Sequence, residues 1–186
     1  RLTSNAAYDG YACWSPDGRH IAFSSDRFGS MDVFLISKNG GVPKRLTTNS
    51  VNEYVQTFLD NGHILYSAYY MPTVKDIIFP GNFMQVYSVD LQGHRPQMFS
   101  ALDMENISIN KSGQLLYHNK KGYEDEWRKH HRSPVTRDLY LSQVKKERRT
   151  YRQLTTDNVE NRNAVWAPDG QSYYYLSEKD GTFNVY

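Results

Sequence analysis

The stretch WSPDGRHIAFSSDRFGSMDVF at residues 14–34 returns as WAPDGQSYYYLSEKDGTFNVY at residues 166–186. The two align without a gap. Trp14/Trp166, Pro16/Pro168, Asp17/Asp169, Gly18/Gly170, Ser25/Ser177, Gly29/Gly181 and Val33/Val185 are identical pairs. Proline presets φ at the first corner of a type I turn, aspartate tolerates the second corner, and glycine takes the left-handed position that closes a bulged hairpin. A turn of that kind fixes the register of the strands it joins, so the alternating residues on either side keep their faces.

Working outward, two looser copies lie between these. Each copy opens with a short apolar strand: YACW at 11–14, VQTFL at 55–59, ISI at 107–109 and AVW at 164–166. The turns SPDG, LDNG, NKSG and APDG follow, then the alternating runs HIAFSS, HILYSA, QLLYHN and SYYYLS. A third strand comes after a loop: MDVFLIS, MQVYSVD, RDLYLSQV and FNVY. A fourth is read in KRLT, RPQMFS and YRQLT. Four short-linked strands make an antiparallel meander that is apolar on both faces when stacked between neighbours. The turn glycines at 18, 62, 113 and 170 step by 44, 51 and 57 residues. A bare four-stranded propeller blade takes about 40–45, so the second and third copies carry insertions. No segment has a sustained helical period.

These patterns predict an all-β chain, a β-propeller of four-stranded antiparallel blades, read as a partial ring of three full blades and parts of two more. The expected boundaries are 1–3 (last strand of a preceding blade), 4–47, 48–100 with an insertion at 69–82, 101–155 with an insertion at 119–138, and an incomplete blade at 156–186. RLT at 1–3 matches the blade-ending KRLT and YRQLT, and Tyr186 falls inside a third strand. The chain therefore reads as an excerpt from a larger ring. A four-blade ring closed by pairing 1–3 with 184–186 is the alternative.

Composition agrees with half-buried strands. Aromatics are 14% with 15 Tyr, hydrophobic residues 39%, and mean hydropathy is −0.72. A phenol packs its ring inward and keeps its hydroxyl wet. A formal charge of +2 gives no argument for nucleic acid. The basic run KKERRTYR at 145–152 lacks regularly spaced stacking aromatics and reads as a solvated hairpin. No apolar run approaches the roughly 20 residues of a membrane helix, so no membrane insertion is expected. Cys13, the single cysteine, sits in a strand without an activating base and reads as a small buried thiol.

The signature W-[SA]-P-D-G followed by I-A-F-S-S, with L-T ending the blade, resembles the Pro-Asp repeat of TolB and of tricorn-family propellers. Prolyl-oligopeptidase-type propellers are similar in a looser form. The segment GYEDEWRKHHRSPVTRDLY at 122–140 is similar to the corresponding stretch of the N-terminal propeller of bacterial tricorn-like serine peptidases. The resemblance implies a domain that precedes a protease module and admits or orients peptides, in a protein exported to the periplasm or cell surface. On this reading the partners are peptide or protein, including a downstream protease module of the same polypeptide.

Loops carry specific chemistry on such scaffolds. The insertion 69–82 presents Met71, Ile77, Ile78 and Phe79 between Pro72 and Pro80. It is a candidate apolar contact loop, and the plainer reading has it folding over the blade edge. The insertion 119–138 contains Trp127, Arg128, His130, His131, Arg132 and Arg137, the candidate peptide- or partner-binding residues. A guanidinium holds a carboxylate by two points, which suits a peptide C-terminus or an acidic side chain. The competing account pairs these arginines internally with Glu124, Asp125, Glu126 and Asp138, and the sequence favours it. Adjacent histidines on a strand face opposite ways, and no ligand spacing accompanies His130 and His131, so neither a metal nor a cofactor is expected.

There is no G-x-S-x-G elbow, and no phosphate-loop spacing among the glycine-rich turns. The chain itself shows no catalytic site. Three functions remain open: a peptide-recognising or substrate-gating propeller of a tricorn-like serine peptidase, a TolB-like cell-envelope scaffold with no protease module, and the propeller of a prolyl-oligopeptidase-type enzyme.

Overall fold

The computed structural model describes residues 1–70, 84–119, 133–145 and 148–186. The chain divides into two compact units, Arg1–Asp103 and Met104–Tyr186. Among the described residues every regular element is a strand.

In the first unit, β1 (Asp9–Trp14), β2 (His20–Ser25), β3 (Asp32–Ser37) and β4 (Lys44–Arg45) form one antiparallel sheet in that order. β5 (Glu53–Phe58), β6 (His63–Ala68), β7 (Gln85–Asp90) and β8 (Gln97–Ser100) form a second. In the second unit, β9 (Glu105–Ile109), β10 (Leu115–His118), β11 (Leu139–Lys145) and β12 (Arg148–Gln153) form a four-stranded meander. A three-stranded sheet follows: β13 (Asn161–Trp166), β14 (Tyr173–Ser177) and β15 (Asn184–Val185). The four sheets follow the four copies read from the sequence.

The alternation is realised as two-faced burial. Ala22, Val33 and Leu35 on one face of the first sheet join Val55, Phe58, Ile64, Tyr66 and Val89 of the second in a single apolar cluster. Phe23, Phe34 and Ile36 pack on the opposite face of the first sheet. In the second unit Leu116, Leu139, Leu141 and Ala164 form the core, flanked by Trp166, Tyr173 and Tyr175. Each such side chain, when fully buried, contributes roughly 1.5–3 kcal/mol against its exposed state.

The turn chemistry holds at Gly18, Gly113 and Gly170, whose φ values are 66°, 77° and 68°. The amide of Gly18 donates to the Ser15 carbonyl at 2.9 Å, closing the type I turn. Gly62 differs. The loop between Leu59 and His63 is one residue shorter than the one between Ser15 and His20, and Gly62 is not left-handed. Its amide donates instead to Asp60 Oδ1 at 2.7 Å.

The Leu-Thr pair ending a blade also has a physical role. Leu46 N donates to Val33 O at 2.8 Å, and Val33 N donates to the Thr47 hydroxyl at 2.9 Å. Leu154, Thr155 and Leu139 repeat this at 2.8 and 3.0 Å. Leucine fills the core, and the threonine oxygen replaces the next rung of the ladder where β4 and β12 have already ended. The strands read as KRLT and YRQLT accordingly stop short, at Arg45 and Gln153.

Candidate functional site

An antiparallel meander brings the start of its first strand, the end of its second and the start of its third to one edge. In the third sheet, register pairs Glu105 with His118 and His118 with Leu139. The insertion after β10 leaves and returns at that edge. Arg137 stands at its return. Its Nη1 donates to Glu160 Oε1 at 2.8 Å and its Nε to Glu105 Oε2 at 3.3 Å, while its backbone amide donates to Glu160 Oε2 at 3.0 Å. His118 lies 3.2 Å from Glu105 Oε2 through Nε2, and its Nδ1 accepts the Asn163 amide at 3.2 Å. Nε2 carries the proton that reaches Glu105.

Two acids, one arginine and one histidine thus form a nearly buried network. The Glu105 carboxyl is held down to about 2, first by the hydrogen bond from His118 and then by the charge and hydrogen bond of Arg137, against the opposing effect of burial. For Arg137 burial works against the charge, and the contacts with Glu160 and Glu105 outweigh it and raise its pKa. Asp138, adjacent, accepts from Gln153 Nε2 at 2.8 Å and from the Thr155 hydroxyl at 3.1 Å.

The first unit uses the same backbone frame with other side chains. Met31 N donates to Asn52 Oδ1 at 3.0 Å and Glu53 N to Met31 O at 2.8 Å. The second unit mirrors this when Asn161 N donates to Arg137 O at 3.0 Å. Glu53, wholly buried, accepts from the hydroxyls of Thr47 and Tyr70. Burial raises its pKa, and the charge of Asp32 adds to that. Asp32 is itself fully buried and takes Arg45 Nη2 at 2.7 Å. Asp9, which opens the first sheet, is paired with Arg27 Nη2 at 2.7 Å.

Of the residues singled out from sequence, Arg137 is described, with the two glutamate partners above. Trp127, Arg128, His130, His131 and Arg132 lie outside the described residues, as do Met71, Ile77, Ile78 and Phe79 and the acids Glu124, Asp125 and Glu126. Sequence reading missed Glu105, His118 and Glu160. The gap-free match of the first and last copies runs back to residue 1 but includes neither Glu105 nor His118. It aligns Asp9 with Asn161, a polar position opening the first and last sheets, and sets Tyr8 against Glu160, so Glu160 carried no signal there. Among the described residues, no group of three or more His, Cys, Asp or Glu is placed to hold a metal ion. Cys13 is half-buried, and desolvation pushes its thiol up to about 12, the direction that disfavours the nucleophilic thiolate.

Fold and edge geometry define a β-propeller domain whose sheet edges carry carboxylates engaged by arginine, histidine or hydroxyl side chains. The tricorn protease N-terminal beta propeller domain family matches residues 1–186, and the chain belongs to that family. The tricorn protease crystal structure superposes with a TM-score of 0.71 at 18% identity, over 100% of this chain and 18% of that one. TolB from Acinetobacter baumannii superposes with a TM-score of 0.66 at 16% identity, over 99% of this chain and 44% of that one. At those identities the likeness is one of fold. The Tol-Pal system protein TolB of Syntrophus aciditrophicus is 49% identical over 35 residues, which are 19% of this chain and 8% of that protein. The chain thus spans less than half the length of each of these relatives.

Proposed function

We propose that this chain is a non-catalytic propeller domain that recognises peptide or protein and gates substrate for a tricorn-like serine peptidase. The observation that carries the reading is the match of the tricorn N-terminal propeller family to all of residues 1–186. The 122–140 segment supports it from the sequence side. Arg137 is engaged internally by Glu105 and Glu160, and the proposed peptide-binding residues are Trp127, Arg128, His130, His131 and Arg132, chosen from the sequence. In this reading the protein acts in the periplasm or at the cell surface, and its partners are peptides and a protease module. A TolB-like scaffold without a protease module is the second reading, favoured by the 35-residue match to the Tol-Pal protein.

The test is fluorescence anisotropy of a dansylated hexapeptide with a free C-terminal carboxylate, and of its C-terminal amide. The expected result is binding of the free acid that weakens at least about tenfold in an Arg128→Ser, Arg132→Ser variant. Binding that is indifferent to both arginines overturns the assignment of these residues. Peptide mapping of the native polypeptide beyond Tyr186 separates the two readings by the presence or absence of a serine-protease module.

A further inference from the structure

A second candidate site stands in the first unit. The β2–β3 loop at 28–30 and the connection from β4 to β5 at 48–52 face each other across an open cleft of about 510 Å³. Arg45 lines it, with its guanidinium 4.7 Å over the Phe28 ring. The ring fixes the plane of the guanidinium and leaves the side chain 29% exposed. Nη2 is engaged by Asp32, whereas Nε is buried without a hydrogen-bond partner among the described residues.

The rest of the lining is fixed to present donors. Asn52 Oδ1 accepts the Met31 amide at 3.0 Å, and Asn49 Oδ1 accepts the Ser50 amide at 2.8 Å. A backbone N–H can only donate, so both side-chain orientations are set. Each asparagine turns its NH2 group away from that contact, and neither NH2 has a partner among the described residues. Ser30 ties the two walls by donating to the Asn49 carbonyl at 3.0 Å. Asp32 is fully buried and does not line the cleft, and Glu53 is held by Thr47 and Tyr70. Arginine with two oriented amides makes a wall that matches acceptor oxygens bearing negative charge.

The fold does not demand this lining. In the second unit the positions of Arg45, Asn49 and Asn52 are taken by Gln153, Asp157 and Glu160, on either side of the same Leu-Thr pair. There the two amides have become acceptor-only carboxylates and the guanidinium an uncharged amide, whose Nε2 donates to Asp138 and to the Thr155 carbonyl. The donor wall is therefore a property of this cleft.

We infer that the cleft between residues 28–30 and 48–52 binds a carboxylate, presented by a peptide as either an acidic side chain or a free C-terminus. Arg45 and the amides of Asn49 and Asn52 hold it. The inference does not depend on the arginines of the 128–132 segment.

The experiment is NMR titration of the 186-residue chain, following the Asn49 and Asn52 side-chain NH2 and Arg45 Nε–H resonances. Three probes are used: acetyl-Ala-Ala-Ala with a free carboxylate, acetyl-Ala-Glu-Ala amide and acetyl-Ala-Ala-Ala amide. Saturable shifts with either carboxylate probe, and none with the third, are expected, and the responding probe identifies the source of the carboxylate. The double variant Asn49→Asp, Asn52→Asp keeps both backbone acceptors and imitates the second unit. It should retain the parent's backbone spectrum and bind at least about tenfold more weakly. Equal response to the neutral probe, unweakened binding by the double variant, or shifts confined to residues outside 28–30 and 45–52 each overturn the inference. Shifts confined to 128–132 would leave the proposed function standing while removing this site.

Discussion

Glu53 and Glu105 hold the same place at the start of their sheets, yet their surroundings move the two carboxyls in opposite directions. Glu53 is raised, because burial dominates and Asp32 repels its charge. Glu105 is lowered to about 2, because His118 and Arg137 outweigh burial. A lowered carboxyl stabilises the fold above its unfolded value, 4.5, and that contribution disappears as pH falls from there through about 2. A raised carboxyl behaves in the opposite way, opposing folding at neutral pH and ceasing to do so on acidification. Glu105→Gln should therefore flatten the loss of stability between pH 5 and pH 2 by about 1–2 kcal/mol, allowing for screening of a partly exposed side chain. Glu53→Gln should remove part of whatever gain the parent shows as pH falls from neutral toward the ordinary glutamate value. Urea midpoints across that range check both, and an unchanged acid limb in Glu105→Gln would show that its low pKa is not coupled to folding.

At the scale of the element, one backbone frame accepts two chemistries. Met31 with Asn52 and Arg137 with Glu160 occupy equivalent places, and each pair makes the same amide-to-side-chain bond at 3.0 Å. Arg137→Met alone strips the cation from two glutamates, one of them buried, and should cost about 3 kcal/mol or more. Adding Glu160→Asn restores the first unit's pairing, so the double variant should recover at least about 2 kcal/mol of that loss. Additive losses in the double-mutant cycle would mean that the two frames are not interchangeable. This network also marks the limit of what the sequence discloses. Pro-Asp-Gly turns and alternating runs are local, and they set strand order and faces correctly. Gly62 departs because its loop is one residue shorter, a length that looks innocuous on paper. Arg137 reaches Glu160 and Glu105 across 23 and 32 residues, and only strand register brings them together. Charge proximity along the chain pointed instead to Glu124–Glu126 and Asp138.

At the scale of the whole molecule, within each unit the second sheet offers its first strand, β5 or β13, to the sheet before it. Phe58, at the end of β5, is 3% exposed within the cluster shared by the first two sheets. Trp14, at the equivalent end of β1, is 60% exposed. The same repeat position therefore carries unequal weight in this chain, although tryptophan is the larger side chain. Phe58→Ala removes a ring from a packed interface and should cost about 3–5 kcal/mol. Trp14→Ala removes a ring that water already reaches and should cost less than about 1 kcal/mol. Guanidinium denaturation of the two variants, at two protein concentrations, decides the matter. A Trp14→Ala loss comparable to that of Phe58→Ala, with a parent midpoint that rises with concentration, would mean that a second copy of the chain covers the face of β1. Without that concentration dependence, the weight of the position lies in a packing of β1 that its exposure does not reveal, and the stacking argument fails at its first sheet.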